Sequence, residues 1–131
     1  MKIKLILDTN VFLLLYEGIN PLEELEELFG GRAEFYTLKP VIHELKKLSG
    51  KKGSRKGRAA SLVLDSGILG RVKVIEFEGR SQNVDESILE YVSSNPEFAV
   101  VTLDAELRNR LKNAGIKVLT WWRSMHRFST G

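Results

Sequence analysis

Asp8, Glu44, Asp85 and Asp104 are widely separated in the 131-residue chain, yet each stands where folding could gather it into a shared site. Two like charges about 4 Å apart repel by about 4 kcal/mol at an effective dielectric near 20. Several such pairs would rival the roughly 5–15 kcal/mol that stabilises a whole domain. A cluster of this kind therefore persists only when protons or cations neutralise it. The chain has no cysteine and two histidines, His43 and His126. Disulfides, thiolate ligands and thiol nucleophiles are excluded, and a multi-histidine metal site or a Ser-His-Asp triad has little to draw on. With carboxylate oxygens as donors, the fitting ions are the hard ones, Mg²⁺ or Mn²⁺.

A cationic segment lies among these acids in the sequence. Lys46, Lys47, Lys51, Lys52, Arg55, Lys56 and Arg58 crowd together, and no Asp or Glu occurs from Leu45 to Leu64. Taking these seven from the twenty Lys and Arg leaves thirteen basic residues against seventeen acidic ones. The formal charge of +3 thus hides a basic segment on an acidic body. A polyanion is the partner such asymmetry suits. Gly50, Gly53, Ser54 and Gly57 predict a flexible basic loop over 46–58, able to mould to a phosphate backbone or simply to connect. Carboxylates suited to divalent ions, beside such a segment, point to phosphodiester hydrolysis assisted by one or two of those ions.

The elements that must position these residues alternate. Strands are expected at Ile3–Leu7, Glu34–Leu38, Val72–Phe77, Phe98–Leu103 and Ile116–Trp121, from short apolar runs bounded by turn residues. Helical spacing predicts helices at 11–17, 21–29, 40–48, 58–69, 84–94 and 105–114. Asn20 is placed as a cap with Pro21 at the first helical position, and Gly30-Gly31 as the stop. Alternation implies crossover connections, hence an α/β fold: a three-layer, mainly parallel sheet of about five strands flanked by helices. One domain is expected over 1–122, followed by a polar tail at 123–131. Ligands of such sheets bind beyond the carboxyl ends of the strands, where strand order reverses.

Asp8 follows the first strand and Asp104 the fourth; a simple N-cap accounts for either alone. Asn10 could cap the first helix itself and free Asp8. Asp85 falls inside the apolar arc Val84, Ile88, Leu89, Tyr91 and Val92, while Asn83 and Glu86 already have capping-box spacing. An inward carboxylate without a structural duty marks a bound cation or a shifted pKa. Glu44 borders the stripe Val41, Leu45 and Leu48, a place where solvated glutamates are also common. His43 falls on the far side of that helix and reads as a surface histidine.

Other functions find less support. The longest apolar run, Val11 to Tyr16, is far short of the roughly 20 residues that span a bilayer. The immediate entry into a strand pattern leaves no room for a cleavable signal, so a soluble cytoplasmic protein is expected. Gly50 to Gly57 lacks the spacing and the preceding strand of a nucleotide-binding loop. Trp121 and Trp122 could stack on unpaired bases or pack on an edge strand.

Taken in order, Leu7-Asp8-Thr9-Asn10, Val41-Ile42-His43-Glu44-Leu45, Val84-Asp85-Glu86-Ser87-Ile88 and Val101-Thr102-Leu103-Asp104 closely resemble the PIN-domain ribonucleases, from Met1 to about Trp121. No single motif is specific; the ordered set is. The resemblance implies RNA cleavage with Asp8, Glu44, Asp85 and Asp104 holding Mg²⁺ or Mn²⁺. It also implies that Asn10 and Thr102 hydrogen-bond those acids, as the orientation of metal ligands requires. The seven basic residues are then the RNA-binding surface. Self-association as a homodimer is implied as well. A basic stretch soon after the Glu44 motif makes the chain look closer to ribosomal-RNA processing PIN nucleases, with a ribosome-assembly partner, than to VapC-type toxins, which an antitoxin silences. A non-catalytic RNA-binding scaffold is the remaining alternative.

Overall fold

In the computed structural model, which describes residues 1–81 and 83–130, six strands form one sheet. They are β1 (Ile3–Leu7), β2 (Ala33–Leu38), β3 (Lys73–Ile75), β4 (Ala99–Val101), β5 (Val118–Trp122) and β6 (Arg127–Thr130). Their order is β3-β2-β1-β4-β5-β6, parallel throughout except for the antiparallel β5–β6 pair. The flanking helices are α1 (Thr9–Leu13), α2 (Pro21–Leu28), α3 (Lys39–Ser49), α4 (Arg55–Ser66), α5 (Val84–Ser94) and α6 (Ala105–Asn113). Short 3₁₀ turns at Leu14–Glu17 and Ile68–Arg71 follow α1 and α4.

Burial explains the order. Leu5, Ile6 and Leu7 of β1 and Val100 and Val101 of β4 are wholly buried, as the continuous apolar runs of central parallel strands require. Successive crossovers from β1 run outward to β2 and β3, then from β4 outward to β5. The direction reverses between β1 and β4, which opens the ligand crevice at their carboxyl ends. There Asp8 N–H donates to Val101 O (3.0 Å), and Thr37 Oγ1 donates to Leu7 O (2.8 Å).

Several expected boundaries move, each for a local reason. Asn20 does cap α2, accepting from Leu22 N and Glu23 N. Asp8, rather than Asn10, caps α1, because β1 ends at Leu7 and Asp8 is the first residue outside the ladder. β3 is only three residues long: Leu38, paired with Ile75, leaves the ladder to start α3, so residues 76 and 77 find no partner strand.

The flexible basic loop over 46–58 is a helix–turn–helix instead. Lys46 and Lys47 lie on α3, while Arg55, Lys56 and Arg58 lie on α4, whose first turn Ser54 caps by accepting from Gly57 N (2.9 Å). Gly57 is a packing requirement: a Cβ there would sit 2.2 Å from Lys51 O. Gly57→Ala should therefore cost about 1–3 kcal/mol by overpacking the α3–α4 turn, visible as a lower melting temperature.

The tail at 123–131 is corrected too, since Arg127–Thr130 closes a hairpin on β5. Phe128 is 2 % exposed and lies across from Trp121, their ring centroids 5.0 Å apart. His126 turns the chain with φ +50°, a conformation that His tolerates better than most residues.

Candidate functional site

All four acids line one pocket of about 260 Å³ at the reversal point, together with Asn10, Leu48, Lys56, Asn83 and Val84. Asp8 arrives from the end of β1, Glu44 from the middle of α3, Asp85 from the first turn of α5 and Asp104 from the cap of α6.

Asp8 is 3 % exposed. Its Oδ1 accepts from Thr9 N (2.8 Å) and its Oδ2 from Thr102 Oγ1 (2.7 Å). Thr102 Oγ1 in turn accepts from Asp104 N (3.1 Å), so one hydroxyl joins the ends of β1 and β4. Asp104 Oδ1 accepts from Leu107 N (3.0 Å), which makes it a helix cap as well as a pocket wall. Burial pushes the Asp8 carboxyl up to about 6, with the charges of Asp85 and Glu44 adding and the Thr102 and Thr9 bonds opposing. Asp85 is likewise raised, first by burial, then by Asp104 and Glu44. The four acids thus feel one another.

They do not form a tight cage. Among the described residues, no three carboxylates converge closely enough to hold an ion without moving. Unscreened repulsion favours such spacing. The donor set nevertheless fits a hard cation, being all oxygen with one carboxylate fully desolvated. No arginine lines the pocket either: Arg110, whose charge opposes the rise of Asp85, is spent in a two-pronged pair with Glu86 (2.6 and 3.2 Å). Glu86 therefore serves Arg110, and the expected capping box forms only in part, through Asn83 Oδ1 accepting from Glu86 N (3.1 Å).

The orienting residues split. Thr102 bonds Asp8 as expected. Asn10 lines the pocket, but among the described residues its side chain makes no hydrogen bond to the acids. Thr102→Val should raise the Asp8 carboxyl further and leave Asp104 N–H unpaired. Carboxyl ¹³C NMR titration would read the first effect directly. Glu106 escaped the sequence reading: from the first turn of α6 its charge also raises Asp85. The signal available was its place two residues after Asp104.

The basic residues divide by location. Lys56 lines the acid pocket itself and, with Arg55, a neighbouring groove of about 240 Å³. Lys47 lines a trough on the other side. Lys51, Lys52 and Arg58 border a depression next to the α3–α4 turn, and Lys46 is exposed on α3. The Arg55 guanidinium lies over the Tyr16 ring (5.5 Å), and Arg58 Nε donates to Tyr16 Oη (3.1 Å). Arg123, also unassigned from sequence, enters the groove paired with both oxygens of Glu17. Trp121 is 5 % exposed and unavailable for stacking, whereas Trp122 is half-buried with the Arg108 guanidinium 5.5 Å above its ring.

Comparison with known proteins bears on this arrangement. The fold is similar to the solved structure of the PIN domain endonuclease Utp24, with a TM-score of 0.76 and 23% identity over 97% of this chain and 90% of that one. No curated protein sequence matches the chain. The model of the PIN-like domain family matches residues 5–123, a span that takes in the strand ends, the four acids and the basic helices alike. A sheet reversing between β1 and β4, acids set around that point and a family match across nearly the whole length agree: the chain belongs to the PIN-like domain family.

Proposed function

We propose that the protein is a Mg²⁺- or Mn²⁺-dependent endoribonuclease, acting in ribosomal RNA processing or RNA turnover. Family membership and a fold shared with a PIN-domain endonuclease support a nuclease. The observation that carries the finer reading is the placing of Asp8, Glu44, Asp85 and Asp104, from four separate elements, around one pocket, with Asp8 fully desolvated. Such desolvation of a carboxylate is costly and fits a site that holds a cation. When bound, the ion supplies Lewis-acid stabilisation and a more acidic water.

The chain's own residues supply the frame. Thr102 holds Asp8 Oδ2 and receives Asp104 N–H, fixing the Asp8 carboxylate and the Asp104 backbone relative to the sheet ends. Glu44 and Asp85 stand across the pocket on α3 and α5. Lys56, at the pocket wall, and Arg55 and Lys47 to either side offer charges to a phosphate backbone. The basic stretch directly after Glu44 favours ribosomal RNA over a toxin's target. No helix among the described residues is long and apolar enough to cross a membrane.

The test is cleavage of labelled structured and unstructured RNA with Mn²⁺ or with EDTA. Metal-dependent internal cuts are expected. Cutting that continues in EDTA would remove the reading. Binding should weaken with salt, at a log–log slope near −3 if about four phosphates of a single strand are neutralised.

A further inference from the structure

The carboxylate pocket is the middle of three connected depressions. It shares Asn10 and Lys56 with the groove beside Tyr16. On the opposite side it shares Glu44, Asn83 and Val84 with a trough of about 520 Å³ between α3 and the segment leading into α5. That volume falls within the roughly 300–1,000 Å³ typical of ligand pockets.

The two flanks differ in how their cations are engaged. In the groove, both arginines are engaged, Arg55 over Tyr16 and Arg123 with Glu17, and Lys56, unpaired among the described residues, is shared with the acid pocket. In the trough, Lys47 takes part in no ion pair among the described residues. His43 stands one helical turn before Lys47, on the same face of α3. Its Nδ1 faces Glu78 Oε1 at 3.6 Å, while the side chain stays 55% exposed. Glu78 therefore meets one ring nitrogen, and more than half of the His43 side chain is left to solvent. His43 carries the aromatic ring of this wall, and Glu44 borders both trough and pocket.

On the nuclease reading above, we propose that this trough seats the nucleotide next to the scissile phosphate, with Lys47 pairing the nucleotide's own phosphate and the His43 ring stacking on its unpaired base. A flat ring at an open wall suits any base, since every base has a π-face. A lysine held in no ion pair is available to a phosphate. His43 is thus a positioning residue and takes no part in bond breaking.

The experiment measures kcat and KM with Mn²⁺ on labelled, unpaired oligoribonucleotides for the wild type, His43→Ala, His43→Phe and Lys47→Ala. For His43→Ala, KM should rise about ten-fold with kcat within about two-fold, and His43→Phe should restore it. The penalty of His43→Ala should vanish on RNA lacking the base at one position beside the cut. Unchanged KM in both alanine variants, with the wild type cutting, would overturn the subsite and leave the nuclease reading standing. A full His43→Ala penalty on every abasic RNA would overturn it too. Should the wild type bind these RNAs but cut none, the nuclease reading falls by itself. Equal anisotropy Kd values for wild type and His43→Ala would then remove the subsite as well.

Discussion

Asp8→Asn should abolish RNA cleavage and, in the same protein, raise the melting temperature measured in EDTA. Loss of activity should exceed about 100-fold, the upper end of what removing a mere orienting partner costs a metal site. The stability gain follows from linkage. The folded-state carboxyl titrates near 6 against an ordinary 3.8, so the protonated form is the one folding favours. That contribution is fully present below about pH 3.8 and is lost as pH rises through about 6. At pH 7.5 the wild type bears a penalty of up to about 3 kcal/mol, at 1.36 kcal/mol per pKa unit. At this chain length that corresponds to about 10 °C. The amide escapes the penalty and keeps an oxygen for Thr9 N–H. Wild type and variant should therefore differ most at pH 7.5 and converge near pH 4. A variant that is less stable at both pH values, or that still cuts RNA, would contradict this account.

Millimolar Mn²⁺ should raise the melting temperature of the wild type strongly at pH 8 and much less at pH 5.5. At one hundred times the dissociation constant, a ligand confined to the folded state contributes about 2.7 kcal/mol, again about 10 °C at this size. Below pH 6 protons compete for Asp8, and for Asp85, which is raised in the same sense. Scanning calorimetry at the two pH values, with and without the ion, reads the difference. Asp85→Asn should blunt the shift at pH 8. An equal shift at both pH values would place the ion elsewhere.

Elements with strong local signals are legible in the sequence. Asn20-Pro21 before a helical pattern gives α2, and Asn83 before the arc Val84 to Val92 gives α5 to the residue. The four acids could be grouped because two follow strands and one breaks an apolar arc, so topology alone brings them near one crevice. What escaped depends on contacts distant in sequence. β6 is announced by a single buried residue, Phe128, whose meaning appears only opposite Trp121. Gly57 passes for a flexible residue until the carbonyl of Lys51 is seen against it. Glu106 and Arg110 act on Asp85 from another helix, a distance that no periodicity encodes.

The Thr102 hydroxyl divides the constellation into unequal halves. Asp8 and Asp104 are clamped through it to neighbouring strand ends, whereas the Glu44 and Asp85 carboxylates accept no hydrogen bond among the described residues. If an ion draws the four acids inward, as the proposed function requires, the movement would work against α3 and α5, leaving the sheet as a fixed anvil. On the metal-dependent reading proposed above, affinity for the ion would be set by how easily two helices lean, and substitutions in their packing would tune it without touching a single ligand.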